Sequence, residues 1–266
     1  MTTPLPLHVK TVLITDCSNA GIGSSLAQSF ASNPNLHVYA TSRSLSTMTH
    51  LADLKLPNVT LLQLDVTSAL SIASARSAVR ERSDYKLDYL VNSAGCGYTM
   101  PYLDSDTDIC RHLFDVNVWG PMQVTQALMP MLSTAELLGV PFAGAYCGSK
   151  AALRMTSESL RAEVGSLGVR VLSVTPGFVG SNWFNNVPNF KLSDESLYKP
   201  IAKQIETRVK GLNNSKNMDA RVYADRVVRD ILAGKQGRVY SGEKATLVAF
   251  VLAWLPQWIV DRIAIR

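Results

Sequence analysis

The chain has 266 residues, of which 47% are hydrophobic and 18% charged, with 16 Gly and 12 Pro. That length suits one large α/β domain, and that composition excludes a disordered, collagen-like or low-complexity chain. The formal charge of +5 fits an anionic ligand, but Lys and Arg are scattered along the chain, which argues against nucleic acid as a partner.

Apolar β-rich runs and helical runs alternate from the start. Thr11 to Thr15 reads as a strand, Ile22 to Ser32 as a helix and Leu36 to Thr41 as a second strand. Val59 to Leu64, a helical Ile72 to Arg82, Leu87 to Val91, a helix near Asn117, another after Tyr146, and Val169 to Thr175 continue the pattern. Continuously apolar strands between helices predict a Rossmann-type, doubly wound α/β fold: a parallel sheet covered on both faces, binding its ligand beyond the carboxyl ends of the strands. No linker or repeat divides residues 1–266, so a single domain is expected. The polar, Asn/Lys-rich stretch from Asn185 to Met218 reads as a lid over the site.

The four cysteines (Cys17, Cys96, Cys110, Cys147) form no Cys-x-x-Cys pair, and the four histidines (His8, His37, His50, His112) lack ligand spacing, so no metal is expected. The first ten residues lack signal-peptide character, which points to the cytoplasm. Ala245 to Val260 is uncharged, too short for a usual span and interrupted by Pro256. Two readings stay open for this tail. It is a helix buried on the body or in a dimer interface, or, with Trp254, Trp258 and flanking arginines, one lying peripherally on an intracellular membrane or lipid droplet.

Between the first strand and helix runs Thr15-Asp16-Cys17-Ser18-Asn19-Ala20-Gly21-Ile22-Gly23. Glycines at Gly21 and Gly23 let backbone approach a pyrophosphate, and the helix N-terminus at Ile22 offers amides and partial positive charge. The second strand ends Thr41-Ser42-Arg43 without the acidic residue that would hold a ribose 2′-hydroxyl, and Arg43 suits a 2′-phosphate, unless it is merely a solvated arginine. NADP(H) is the expected cofactor. Tyr146 and Lys150 stand four apart and share a helix face, where an ammonium favours phenolate and lowers a tyrosine pKa from about 10.

Leu64-Asp65-Val66-Thr67, Asn92-Ser93-Ala94-Gly95, Asn117 within Phe114 to Gly120, Tyr146-Cys147-Gly148-Ser149-Lys150 and Pro176-Gly177-Phe178-Val179 occur in this order. Together they resemble the short-chain dehydrogenase/reductase family from about Val9 to Tyr240, most closely the fungal NADP-dependent members that include 1-acyldihydroxyacetone-phosphate-reductase-like proteins. The resemblance implies that Tyr146 passes a proton to a carbonyl oxygen and Lys150 holds the nicotinamide ribose. It implies that Ser133 steadies the carbonyl and Asn117 anchors a relay water. By the same resemblance Asp65 contacts adenine, Asn92 bounds the cofactor, Val179 meets the carboxamide and Ser181 adds a cofactor contact. Asp65 and Asn92 equally suit simple turn roles.

Two departures bear on activity. Asp16 stands where the family has Gly, and Ala20 where fungal relatives usually have a second Gly. Two unit charges 4 Å apart interact by about 4 kcal/mol at an effective dielectric of 20, so a carboxylate facing a pyrophosphate costs roughly three decades of affinity unless it turns away or is paired. The second departure is length: about a dozen residues that would form a helix end, a turn and an apolar strand, normally five or six residues long, are absent before Ser133. Either Pro130 to Leu132 improvise a strand or Ser133 leaves the catalytic place, and the sheet is short of one central strand. The expected function is hydride transfer between NADP(H) and a hydrophobic or secondary-metabolite-like ketone or secondary alcohol, with Trp183 and Phe184 near the pocket, by a homo-oligomer. The alternatives are the same fold without redox turnover, acting as a binding, regulatory or non-redox protein, and a membrane-surface binding protein led by the tail.

Overall fold

The computed structural model describes residues 9–83, 86–100, 102–129, 144–176, 179–180, 192, 194, 196, 198–211 and 218–242. Ser133, Ser181, Trp183, Phe184, the tail 245–260 and residues 185–191 and 212–217 of the expected lid lie outside the described residues.

The alternating segments fold as read. Strands β1 (Lys10–Ile14), β2 (Leu36–Ser42), β3 (Val59–Gln63) and β4 (Tyr89–Val91) form a parallel sheet in the order β3-β2-β1-β4. Helices α1 (Ile22–Ala31), α2 (Thr49–Asp53) and α3 (Ala69–Ser83) connect them. All seven residues of β2 are buried, as expected of a strand covered on both faces. Successive residues of β1 serve opposite faces because side chains alternate along a strand. Val12 and Ile14 join Val38, Ala40, Leu26 and Phe30 in one core, while Leu13 joins Tyr39, Ile72, Ala75 and Val79 in the other.

The remaining helices are α4 (Thr107–Phe114), α5 (Gly120–Leu128), α6 (Gly144–Val164), α7 (Ala202–Gly211) and α8 (Ala220–Leu232), with strands β5 (Leu172–Pro176) and β6 (Gly237–Ser241). α8 packs on α1, where Ser29 Oγ donates to Asp225 Oδ1 at 2.5 Å, and Val174 of β5 leans on the same core. β5 and β6 pair in parallel as a separate two-stranded piece, and among the described residues nothing pairs with β4 on the edge away from β1. Pro130 to Leu132, the stretch expected to improvise a strand, lies outside the described residues. Asn92, just past β4, gives its Nδ2 to Thr125 Oγ1 of α5 at 3.0 Å, while its Oδ1 is buried with no hydrogen-bond partner among the described residues. No described helix is long and apolar enough to cross a membrane.

One buried polar group sits inside the second core. The His37 ring lies edge-on to Tyr39 at 5.0 Å and bonds Thr60 Oγ1 through Nε2 at 2.9 Å. Burial, with the Arg82 charge adding to it, pushes His37 from 6.5 down to about 4. Below about pH 6.5 the unfolded chain takes up a proton that the folded chain refuses, so stability falls with pH from there to about 4, by at most about 3 kcal/mol. His37→Gln should flatten that limb of a melting-temperature profile between pH 6.5 and 4; identical slopes in both proteins would show that His37 contributes nothing to it.

Candidate functional site

The sheet reverses its winding between β1 and β4, so their carboxyl ends open a crevice. Thr15, one residue past β1, closes its floor: its buried hydroxyl oxygen accepts from the amides of Ser93 and Ala94, both at 2.9 Å. The loop then turns through two non-glycine residues in the left-handed region, Asp16 at φ 55° and Ala20 at φ 56°. Asp tolerates this backbone through its short polar side chain, whereas Ala stores roughly 1–2 kcal/mol there. The Asp16 carboxylate is turned onto the loop, where Oδ1 accepts from Ser18 Oγ at 2.7 Å. The Cys17 amide reaches Thr41 O at 2.7 Å, and Asn19 bonds Thr47, Thr49 and the His50 amide, which clamps the loop to the segment after β2.

Glycine is obligatory at position 23, because a Cβ there would lie 2.1 Å from the Asp16 carbonyl oxygen. Gly21 caps α1 with extended backbone and no side-chain hydrogen bond, leaving the first-turn amides of the helix without a side-chain cap. Arg43, Asp65, Thr67, His112, Gly95, Cys96 and Asp16 line one pocket beside this loop. Gln63 Nε2 holds the Arg43 carbonyl at 3.0 Å. Burial raises the pKa of Asp65, but it is outweighed by the hydroxyl and amide of Thr67 at 2.7 and 2.9 Å, with the Arg43 and His112 charges, so the carboxyl sits below its ordinary range.

The other half of the site is built on α6. Asn117 lies fully buried in a π-helical turn, Asp115–Trp119, that joins α4 to α5. Its Oδ1 accepts from the Cys96 amide at 2.9 Å, and its Nδ2 donates to Cys96 O and Ser149 Oγ, both at 3.0 Å. Ser149 Oγ in turn donates to Tyr146 O at 2.7 Å. A Cβ on Gly95 would stand 3.3 Å from Asn117 Oδ1 and 3.5 Å from Lys150 Nζ. Lys150 and Asn117 thus converge on the pocket from two helical elements. Tyr146 packs against Tyr98, Met100, Leu113 and Phe114, and Leu192 from the excursion closes over the same cluster. Ser196 Oγ also bonds Asp104 Oδ2 there.

This packing corrects the expected titration of Tyr146. Burial, with the Cys147 and Cys96 thiols adding to it when ionised, pushes the phenol up to about 12, against the lowering expected from Lys150. Burial thus favours the neutral phenol in the folded chain. The Asn117 amide nitrogen gives both hydrogens to protein acceptors, which fixes its side chain between Cys96 and Ser149. Of the remaining sequence-predicted residues, Arg43 and Asp65 share one pocket, while Gly21, Ile22 and Gly23 begin α1. Asn92 turns toward Thr125, and Val179 bridges Met218, so the two ends of the excursion meet. Reasoning from sequence passed over Thr15 and Ser149. The signal for Ser149 was its place three residues after Tyr146 on a helix; none marked Thr15 beyond its place at the strand end.

These features fit a dinucleotide: uncapped helix amides, a glycine that admits no side chain, and a pocket whose Arg43 faces an acidic wall. Comparison with known proteins agrees. The family model described as short chain dehydrogenase matches residues 10–191. A curated short-chain dehydrogenase, ptmH of Penicillium ochrochloron, is 40% identical over 97% of this chain and 97% of its own. The short chain dehydrogenase of Burkholderia cenocepacia, solved in complex with NADP, superposes with a TM-score of 0.73 at 23% identity over 97% of this chain and 98% of its own. A short chain dehydrogenase/reductase of Burkholderia phymatum, solved with NAD, gives 0.74 at 20% identity over 92% of each chain.

Ser149→Ala leaves Asn117 Nδ2 a hydrogen without its acceptor inside the core. It should cost about 1–3 kcal/mol, which in a chain of this size lowers the melting temperature by several degrees in scanning calorimetry. An unchanged melt would mean that water or a neighbour replaces the hydroxyl.

Proposed function

The chain belongs to the short-chain dehydrogenase family, and from that premise, which makes it an oxidoreductase acting with a nicotinamide cofactor on small molecules, we propose that it is an NADP(H)-dependent reductase of apolar ketones, or dehydrogenase of the matching secondary alcohols. The observation that carries this reading is the approach of Lys150 Nζ to Gly95, which joins the Tyr146 helix to the pocket of Arg43 and Asp65. Chemistry and nucleotide recognition then meet within one crevice.

When bound, the nicotinamide supplies or accepts the hydride. The first-turn amides from Ile22 and Gly23, with Gly21 capping the helix, would take the pyrophosphate, Asp65 the adenine edge, Arg43 the 2′-phosphate, and Val179 and Ser181 the carboxamide side. Asn92 bounds the pocket at β4. Lys150 positions the ribose, and Ser133 steadies the carbonyl oxygen. Tyr146 delivers its proton to that oxygen as hydride reaches the carbon. A phenol held near 12 keeps its proton at neutral pH. Asn117 fixes the turn between Cys96 and Ser149 and leaves its backbone for a relay water. Tyr98, Met100, Leu113 and Leu192 around Tyr146 support an apolar substrate. Exposed Trp119, Met122 and Met155 support self-association, and the apolar 245–260 segment supports peripheral contact with a membrane.

Titration with NADPH and NADH, following nicotinamide fluorescence and melting together, should give micromolar binding that is tighter for NADPH. Tyr146→Phe should keep that binding and lose at least about a hundredfold in ketone turnover. A cooperative melt that millimolar nucleotide does not shift would sink the assignment.

A further inference from the structure

Asp16 remains unexplained by the proposed chemistry. It lies two residues past β1, as Arg43 lies one past β2, and the two strands are parallel neighbours, with the Cys17 amide after β1 bonded to Thr41 O of β2. Both residues line the pocket that holds Asp65, Thr67 and His112. The acidic residue that would hold a ribose hydroxyl is missing at the end of β2, but Asp16 lines the same pocket from the segment after the neighbouring strand. Ser18 Oγ anchors Asp16 Oδ1 at 2.7 Å, and among the described residues no other hydrogen bond falls on that carboxylate. Asp65 spends Oδ1 on Thr67. A ligand entering here meets one guanidinium, the His112 imidazole and two carboxylates. A ribose hydroxyl finds an acceptor in Asp16, whereas a phosphate dianion meets Arg43 and is repelled by Asp16.

We propose that Asp16 is a specificity-determining residue that opposes Arg43: it accepts a hydrogen bond from the unphosphorylated adenosine ribose and penalises a 2′-phosphate, so the chain holds both nucleotide forms with modest preference. The inference rests on the reading that the nucleotide's adenosine end occupies the Arg43 pocket. It concerns affinity, and turnover is not needed to test it.

The substitution that isolates charge is Asp16→Asn. Asn tolerates positive φ as Asp does, and its carbonyl oxygen still accepts from Ser18 and from a hydroxyl. Adenosine 2′,5′-bisphosphate and 5′-AMP serve as probes in titration calorimetry, with the ligand-free melt of each variant as a folding control and Asp16→Gly as a second variant compatible with the same backbone. The wild-type chain should prefer the bisphosphate by less than about tenfold, and Asp16→Asn should tighten the bisphosphate about tenfold while leaving AMP within about threefold, a gain that shrinks in high salt. Arg43→Leu should abolish the preference. Equal shifts for both probes, or none, in Asp16→Asn overturn the role of Asp16 and leave the Arg43 reading intact if Arg43→Leu still loses the bisphosphate. If the wild-type chain binds neither probe, the role and the placement of the nucleotide both fall.

Discussion

A single buried hydroxyl holds the two sides of the crevice in register. Thr15 Oγ1 accepts from the amides of Ser93 and Ala94 at the point where the winding of the sheet reverses, so the turn after β1 and the turn after β4 share one polar anchor. The Ala94 amide is buried, and a buried amide left without an acceptor costs about 1–3 kcal/mol. The remaining features hang from this joint. The glycine loop and Arg43 stand on one side, Gly95 and Cys96 on the other, and Asn117 grips the Cys96 backbone from beneath. A chain of polar contacts thus runs from the first strand through Asn117 and Ser149 to the backbone of Tyr146.

The two halves of the site use opposite environments. Around Arg43 and Asp65 the wall carries charged residues, and Asp65, despite its burial, is held below its ordinary range by the Thr67 hydrogen bonds with the Arg43 and His112 charges. Around Tyr146 the walls are Tyr98, Met100, Leu113 and Phe114, and burial governs. A short-chain dehydrogenase needs both, because an anionic nucleotide must be held next to a carbonyl from which water is kept away. The 185–218 stretch serves the apolar half: Leu192 packs on the same Tyr98, Met100 and Leu113 cluster as the tyrosine, while Ser196 pins to Asp104.

Much of this was legible from the amino-acid sequence, and what was not has a common cause. The β1-α1-β2 unit reads directly, since its signals are local: apolar runs, a glycine-bearing turn, and Arg43 at a strand end. The spacing of Tyr146 and Lys150 placed them one turn apart on α6, as observed. The titration of Tyr146 was not legible, because residues distant along the chain, such as Tyr98, Leu113 and Leu192, bury its ring. The duty of Asn117 was hidden for the same reason: its partners Cys96 and Ser149 meet it only in three dimensions, and the π turn that aims it has no local signature. Ala20 shows the converse, a glycine-like backbone demanded by the loop and met by a residue that local preference disfavours.

The bridge between Val179 and Met218, backed by the Gly180 amide on Met218 O at 2.9 Å, closes the neck of the excursion. Once a neck is closed, the sheet no longer senses how long the loop beyond it is, and doubling a flexible loop costs only about 0.6 kcal/mol in closure entropy. Insertions, deletions and exchanges can therefore accumulate between those two residues with little penalty to folding, while the nucleotide crevice stays constrained by Thr15 and Gly23. An architecture partitioned in this way lets descendants of one scaffold explore new substrates cheaply, with innovation confined to the one stretch of chain whose ends are already tied.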